Sequence, residues 1–162
     1  MTVQPAMTIG NELIIQKLRS RFDDDIVEVS SFRDDATVGI RASAVLPVCR
    51  FLRDDEELRF NFLMDLTCVD YPEREDRFMV VYNLYSLQYN RRIRLTVRVG
   101  GDHPAVDSVI SVWKSANWLE REVYDLMGVH FREHPDLRRI VLPDDWEGHP
   151  LRKDYPLRGP EG

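Results

Sequence analysis

The 162-residue chain predicts an α+β fold. The expected architecture has two layers, a mostly antiparallel sheet covered by helices, with an extended Pro-rich C-terminal tail. Three observations carry this reading. Residues 60–68, 77–87 and 92–100 alternate or run apolar and are joined by short polar connections, as in a three-stranded meander. Other segments space their apolar residues at a helical period. Five of the nine prolines (Pro135, Pro143, Pro150, Pro156 and Pro160) follow residue 134, where they prevent long regular elements.

Taken in order, the first eight residues form a loose lead-in. Gly10 or Asn11 can cap a helix carrying Leu13, Ile14, Lys17 and Leu18. Ile26–Ser30 and Ala36–Arg41 predict two short strands around the turn residues Ser31, Arg33, Asp34 and Asp35. Ala44–Leu58 predicts a second helix with Pro47 in its first turn, where the missing N–H does no harm. Val45, Val48, Cys49 and Leu52 then share one face.

Phe60, Phe62, Met64, Leu66 and Cys68 alternate with Asn61, Leu63, Asp65 and Thr67, and are expected to point one way. After the charged turn Asp70–Asp76, the run Arg77–Leu87 is apolar on both faces, as a central strand is. In the next strand Ile93, Leu95, Val97 and Val99 oppose Arg92, Arg94, Thr96 and Arg98. Pro104–Trp113 predicts a helix carrying Val106, Val109, Ile110 and Trp113. Asn117 is placed as the N-cap of a last helix, Trp118–Met127, with Gly128 just past its end. The expected division is a domain over 1–140 and a docking tail over 141–162. In the tail, large apolar residues stand between charges, which suits packing along its own domain or along a partner.

Composition narrows the function. A net charge of −6 disfavours a general nucleic-acid or anionic-membrane binder. The two cysteines, Cys49 and Cys68, are too few for a disulfide scaffold or a Cys-only cluster site, and read as buried thiols. No apolar run approaches the ~20 residues of a spanning helix, and the N-terminus lacks the basic-then-apolar order of a secretory signal.

Glu120, Arg121, Glu122 and Asp125 lie on one predicted helix, with Glu122 and Asp125, and Arg121 and Asp125, on shared faces. They read as an acid–base group or as ion pairs at an interface. No nucleophile accompanies them in sequence, which favours the second reading. His130 and His134 have the i, i+4 spacing of zinc ligands, with His149 further on, but Pro135 disfavours a helix through the first two. A metal-dependent hydrolase built on His130, Glu133 and His134 is therefore a rival reading. A nucleic-acid binder built on the row Arg92, Arg94 and Arg98, with Arg91 adjoining, is another; the row reads more readily as solvated, as paired with acids on a neighbouring strand, or as meeting an acidic partner. Phosphate-loop, nucleophile-elbow and cysteine-cluster motifs are absent from the sequence. Residues and spacing favour an interaction module over a self-contained enzyme.

From about residue 60 onward the chain resembles the C-subunit family of respiratory complex I, the NADH–quinone oxidoreductases. The resemblance runs through VDYPEREDRFMVVYNLYSL, RRIRLTVRV and SANWLEREVYDLMGVHF to HPDLRRIVLPDDWEGHPLRKDYPL. The stretch Glu120–Ile140, E-R-E-x-x-D-x-x-G-x-x-F-x-x-H-P-D-L-R-R-I, resembles the family's signature. Met127, within that stretch, and Asn83, before it, depart from the family's pattern at positions that concern packing.

The resemblance implies a structural subunit without an active site of its own. It belongs to the hydrophilic arm of a proton-translocating enzyme, peripheral to the cytoplasmic face of the cell membrane. The D, B and I subunits of the complex are the implied partners. FMN and iron–sulfur clusters sit in partner subunits, and this chain is expected to hold no cofactor and to meet the membrane only through the complex. The equivalent subunit of a related membrane-bound hydrogenase, or of a quinone reductase with another donor, is the alternative. The residues expected at contacts between subunits are Glu120, Arg121, Glu122, Asp125, His134, Asp136, Arg138 and Arg139, with Trp146, Leu151 and Tyr155 as tail anchors.

Overall fold

The computed structural model describes residues 9–158. Ten regular elements follow the chain: α1 (Ile9–Phe22), β1 (Ile26–Phe32), β2 (Asp35–Ile40), α2 (Val45–Asp54), β3 (Phe62–Asp70), β4 (Phe78–Ser86), β5 (Arg91–Val99), β6 (Ala105–Asp107), α3 (Ala116–Met127) and β7 (His130–Arg132). The main sheet has the order β1-β2-β5-β4-β3. β3, β4 and β5 form the expected antiparallel meander, with Tyr82 opposite both Leu66 and Leu95. β2 runs parallel to β5, pairing Ala36 with Ile93 and Ile40 with Val97, so the sheet is mixed. β6 and β7 form a small parallel pair.

The core lies on one side of the sheet. Ile14 and Leu18 of α1 and Val45, Val48, Cys49 and Leu52 of α2 join Val38, Leu66, Tyr82 and Leu95 in one apolar cluster. Burying each such side chain is worth ~1.5–3 kcal/mol, which is what orients both helices. α3 packs along β3.

The hairpin between β1 and β2 is tighter than the sequence suggests. Only Arg33 and Asp34 form its loop, both at positive φ (49° and 68°), while Ser31 and Asp35 pair within the strands. Positive φ at both loop residues matches the twist of the flanking strands.

Five expectations are corrected. Gly10 and Asn11 do not cap α1; both lie inside it, and Asn11 Nδ2 donates to the Asp34 carbonyl at 2.5 Å. α2 stops at Asp54 instead of Leu58. Asp55 turns extended, and its carboxylate accepts from Lys17 Nζ at 2.8 Å and from the Glu57 N–H at 2.9 Å. The 60–68 alternation flips partway: a bulge between Leu63 and Asp65 puts Leu63 inside and leaves Phe62 and Met64 outside. An extra residue in one strand shifts every side chain before it to the other face.

The expected helix 104–113 is instead β6 followed by turns. Val106 is buried in register with Phe131, and the Ser108 N–H bonds to the Arg132 carbonyl at 2.9 Å. Sheet pairing thus takes the groups a helix would have used. Finally, α3 begins at Ala116, so Asn117 lies in its first turn and is not its cap. Gly128 ends the helix as expected, at φ 73°.

Candidate interaction site

α3 turns three charged side chains inward, and each is held by its own chain. Glu120 is 0% exposed. Its Oε2 accepts from Ser108 Oγ at 2.6 Å and its Oε1 from the Val109 N–H at 2.7 Å. Burial pushes its carboxyl up to about 7, against the pull of those two bonds. Next along the helix, Arg121 donates from Nε and Nη2 to the carbonyls of Arg138 and Arg139, each at 3.1 Å.

Asp125, also 0% exposed, sits in a cradle made by the following segment. Its Oδ1 accepts from Arg139 Nη1 at 2.6 Å. Its Oδ2 accepts the successive N–H groups of Ile140 (3.1 Å), Val141 (2.8 Å) and Leu142 (2.9 Å). Three converging backbone donors form an anion nest. Together with Arg139 they hold this carboxyl below the usual carboxylate range, although desolvation opposes them.

The tail then returns to cap α3. His149 Nδ1 lies 2.8 Å from the Asp125 carbonyl, and the Leu151 N–H donates to the Leu126 carbonyl at 3.0 Å. Arg152 Nε donates to the Met127 carbonyl at 2.7 Å. The free carbonyls at a helix C-terminus carry partial negative charge, which favours a cation there. Further on, Asp70 at the end of β3 accepts from Arg77 Nε (2.6 Å) and Nη2 (2.7 Å) and from the Lys153 N–H (2.7 Å). Arg77 also reaches Asp154 at 2.7 Å, which fastens the tail to the start of β4.

The structure divides the eleven contact residues expected from sequence. Glu120, Arg121 and Asp125 are buried, and Arg139 is half-buried; all four make their bonds within the chain. His134 turns its ring inward: Nδ1 accepts the Asp136 N–H at 3.0 Å, and Nε2 lies 3.3 Å from the Asn117 carbonyl. Tyr155 is half-buried and donates to the Glu147 carbonyl at 3.2 Å. Exposed are Glu122, the Asp136–Arg138 pair, Trp146 at 38% and Leu151 at 56%.

Buried charged groups with intrachain partners cannot meet a second chain directly. They set the shape of the surface that the exposed residues occupy. His130 is exposed and packs edge-on to Tyr124, away from the inward-turned His134. Among the described residues no three His, Cys, Asp or Glu side chains converge on a metal position.

Sequence reasoning misses Asp70, Arg77 and Ser108 as site residues, and weighs His149 only as a zinc ligand. A signal is present for Asp70: it falls two residues after Cys68, on the same inward face of β3.

Residues 38–161 match the family described as respiratory-chain NADH dehydrogenase, 30 kDa subunit. Among similar proteins, the C subunit of NADH-quinone oxidoreductase from Geotalea uraniireducens is 52% identical over 155 residues, covering 96% of this chain and 93% of its own. The corresponding protein of Geobacter sulfurreducens is 53% identical over 156 residues, covering 96% and 94%. Among solved structures, the trypsin-resistant fragment (1–134) of Nqo5 superposes with a TM-score of 0.67 at 30% identity, covering 80% of this chain and 100% of the fragment. A chain of an archaeal membrane-bound sulfane sulfur reductase superposes with a TM-score of 0.78 over 93% of this chain and 87% of its own; at 22% identity that likeness shows the fold alone. On the matched residues and these identities, the chain belongs to the family of the 30 kDa subunit of respiratory-chain NADH dehydrogenase, which includes the C subunits of bacterial NADH-quinone oxidoreductases.

Proposed function

We propose that this chain is a non-catalytic structural subunit in the peripheral arm of a proton-translocating NADH:quinone oxidoreductase. It packs against the quinone-site and iron–sulfur subunits, termed D, B and I, at the cytoplasmic face of the membrane. FMN and the clusters belong to partner subunits and not to this chain. One observation carries the reading. Every carboxylate oxygen of Glu120 and Asp125, the two buried acids of α3, already holds a donor of the same chain. Trp146 and Leu151, by contrast, stand out to solvent from a tail that is itself fastened down. A rigid support with large apolar side chains exposed on it is suited to binding and poorly suited to proton transfer.

No helix of the described residues is long and apolar enough to cross a membrane. In the proposed role the chain meets the bilayer only through other subunits. The test is affinity purification of the tagged chain from detergent-solubilised membranes of its own host. Flavin- and cluster-bearing polypeptides should elute with it in fixed proportion, with NADH-dependent quinone reduction in the eluate. Recovery of the chain alone, or turnover by the chain alone, overturns the reading.

A further inference from the structure

The apolar cluster that holds the helices uses only one side of the five-stranded sheet. The opposite side carries Arg92 and Arg94 of β5, Asn83 and Tyr85 of β4 and, because of the bulge, Phe62 and Met64 of β3, 46% and 43% exposed. Arg94 Nε donates to Asn83 Oδ1 at 3.1 Å, and the Arg92 guanidinium lies 5.9 Å from the Tyr85 ring centroid. Both guanidiniums are thereby oriented, yet neither enters an ion pair among the described residues. Asp35 and Asp65 border the same shallow cleft without pairing with them. Oriented arginines with unused donors, beside exposed Phe and Met, are the combination enriched at protein interfaces.

We propose that this open sheet face is a second docking surface, separate from the α3–tail side, and that it receives an acidic segment of a partner polypeptide over Arg92 and Arg94. The occupant follows from the donors: among the described residues neither guanidinium has a carboxylate partner, and each offers its remaining N–H groups as a charge-assisted site for one. This inference rests on the reading of the chain as an assembly subunit.

The test places a photo-crosslinking amino acid at Met64, and separately at Trp146, in the tagged chain expressed in its own host. The Met64 probe should join a partner polypeptide at a segment rich in Asp and Glu, mapped by mass spectrometry. Arg92→Glu/Arg94→Glu should lower that yield about tenfold, with a smaller loss for Arg92→Gln/Arg94→Gln, while the Trp146 product stays unchanged. Thermal melts of the purified variants confirm that they fold. The inference is overturned if Met64 yields no product while Trp146 does, if Met64 joins a second copy of this chain, if it joins a segment without acids, or if charge reversal leaves the yield intact. Silence at both positions overturns the assembly reading as well.

Discussion

Asp125 of α3 receives the Arg139 guanidinium at 2.6 Å on Oδ1, and its Oδ2 gathers the three N–H groups that follow Arg139 in the chain. One carboxylate therefore shapes the whole start of the tail. Its removal leaves three backbone donors without an acceptor and Arg139 without its anionic partner, although the guanidinium keeps the carbonyls of Asp125, Trp146 and Gly148. Asp125→Ala should cost about 3–5 kcal/mol, the range for breaking a buried charge pair, and should lower the urea midpoint accordingly. A loss below about 1 kcal/mol would mean that the nest contributes little.

Glu120 gives stability an opposite pH dependence. Its carboxyl titrates near 4.5 when unfolded and near 7 when folded. Between those values the folded chain holds the extra proton, so stability falls as pH rises through the interval. Asp70 and Asp125 are held low, so their contribution is present above the ordinary carboxylate range and is lost as pH falls from that range through their lowered folded-state values. Glu120→Gln should flatten the decline between pH 4.5 and 7 and raise stability at pH 8 by at most about 3 kcal/mol. Urea titrations in which parent and variant decline alike across that range would refute it.

Gly128 ends α3 at φ 73°, and a β-carbon there would collide with the Arg152 guanidinium and the His149 ring. Gly128→Ala should therefore strain the backbone and push out the tail, at a cost of ~1–2 kcal/mol. Limited proteolysis should cut the variant between residues 141 and 158 faster than the parent. Equal cleavage rates would count against the tail's being clasped by α3.

Cys49 and Cys68 are both buried, and burial is the main cause that pushes their thiols up, Cys68 to about 12. Neither should react with a water-soluble disulfide reagent at pH 8 until urea is added. Rapid labelling of the native chain would contradict the burial of Cys49 of α2 and Cys68 of β3 in the apolar cluster.

Much of this architecture is legible because local pattern and final packing agree. β5 alternates without interruption and pairs in register along its whole length with β4. α3 carries a glycine where a left-handed residue is needed. The rest depends on partners far away in sequence. Nothing local distinguishes Ala105–Asp107 from a first helical turn; the pairing with β7, some 25 residues on, decides it. The bulge at Leu63–Asp65 reverses an alternation that looks regular, and places Phe62 and Met64 outside. Glu120, Arg121 and Asp125 read as surface charges because most of their partners are backbone groups at 109 and 138–142, which carry no side-chain signature.

Docking through the tail is central to the proposed role, and the most direct measurement is co-purification of the Trp146→Ala/Leu151→Ser variant from its own membranes. Truncation after Val141 is a poorer probe, because it strips α3 of His149 and Arg152. The double variant should melt within a few degrees of the parent but lose at least nine-tenths of its associated cluster-bearing polypeptides, as interface anchors do when removed. Full recovery of those polypeptides with the double variant would contradict tail docking.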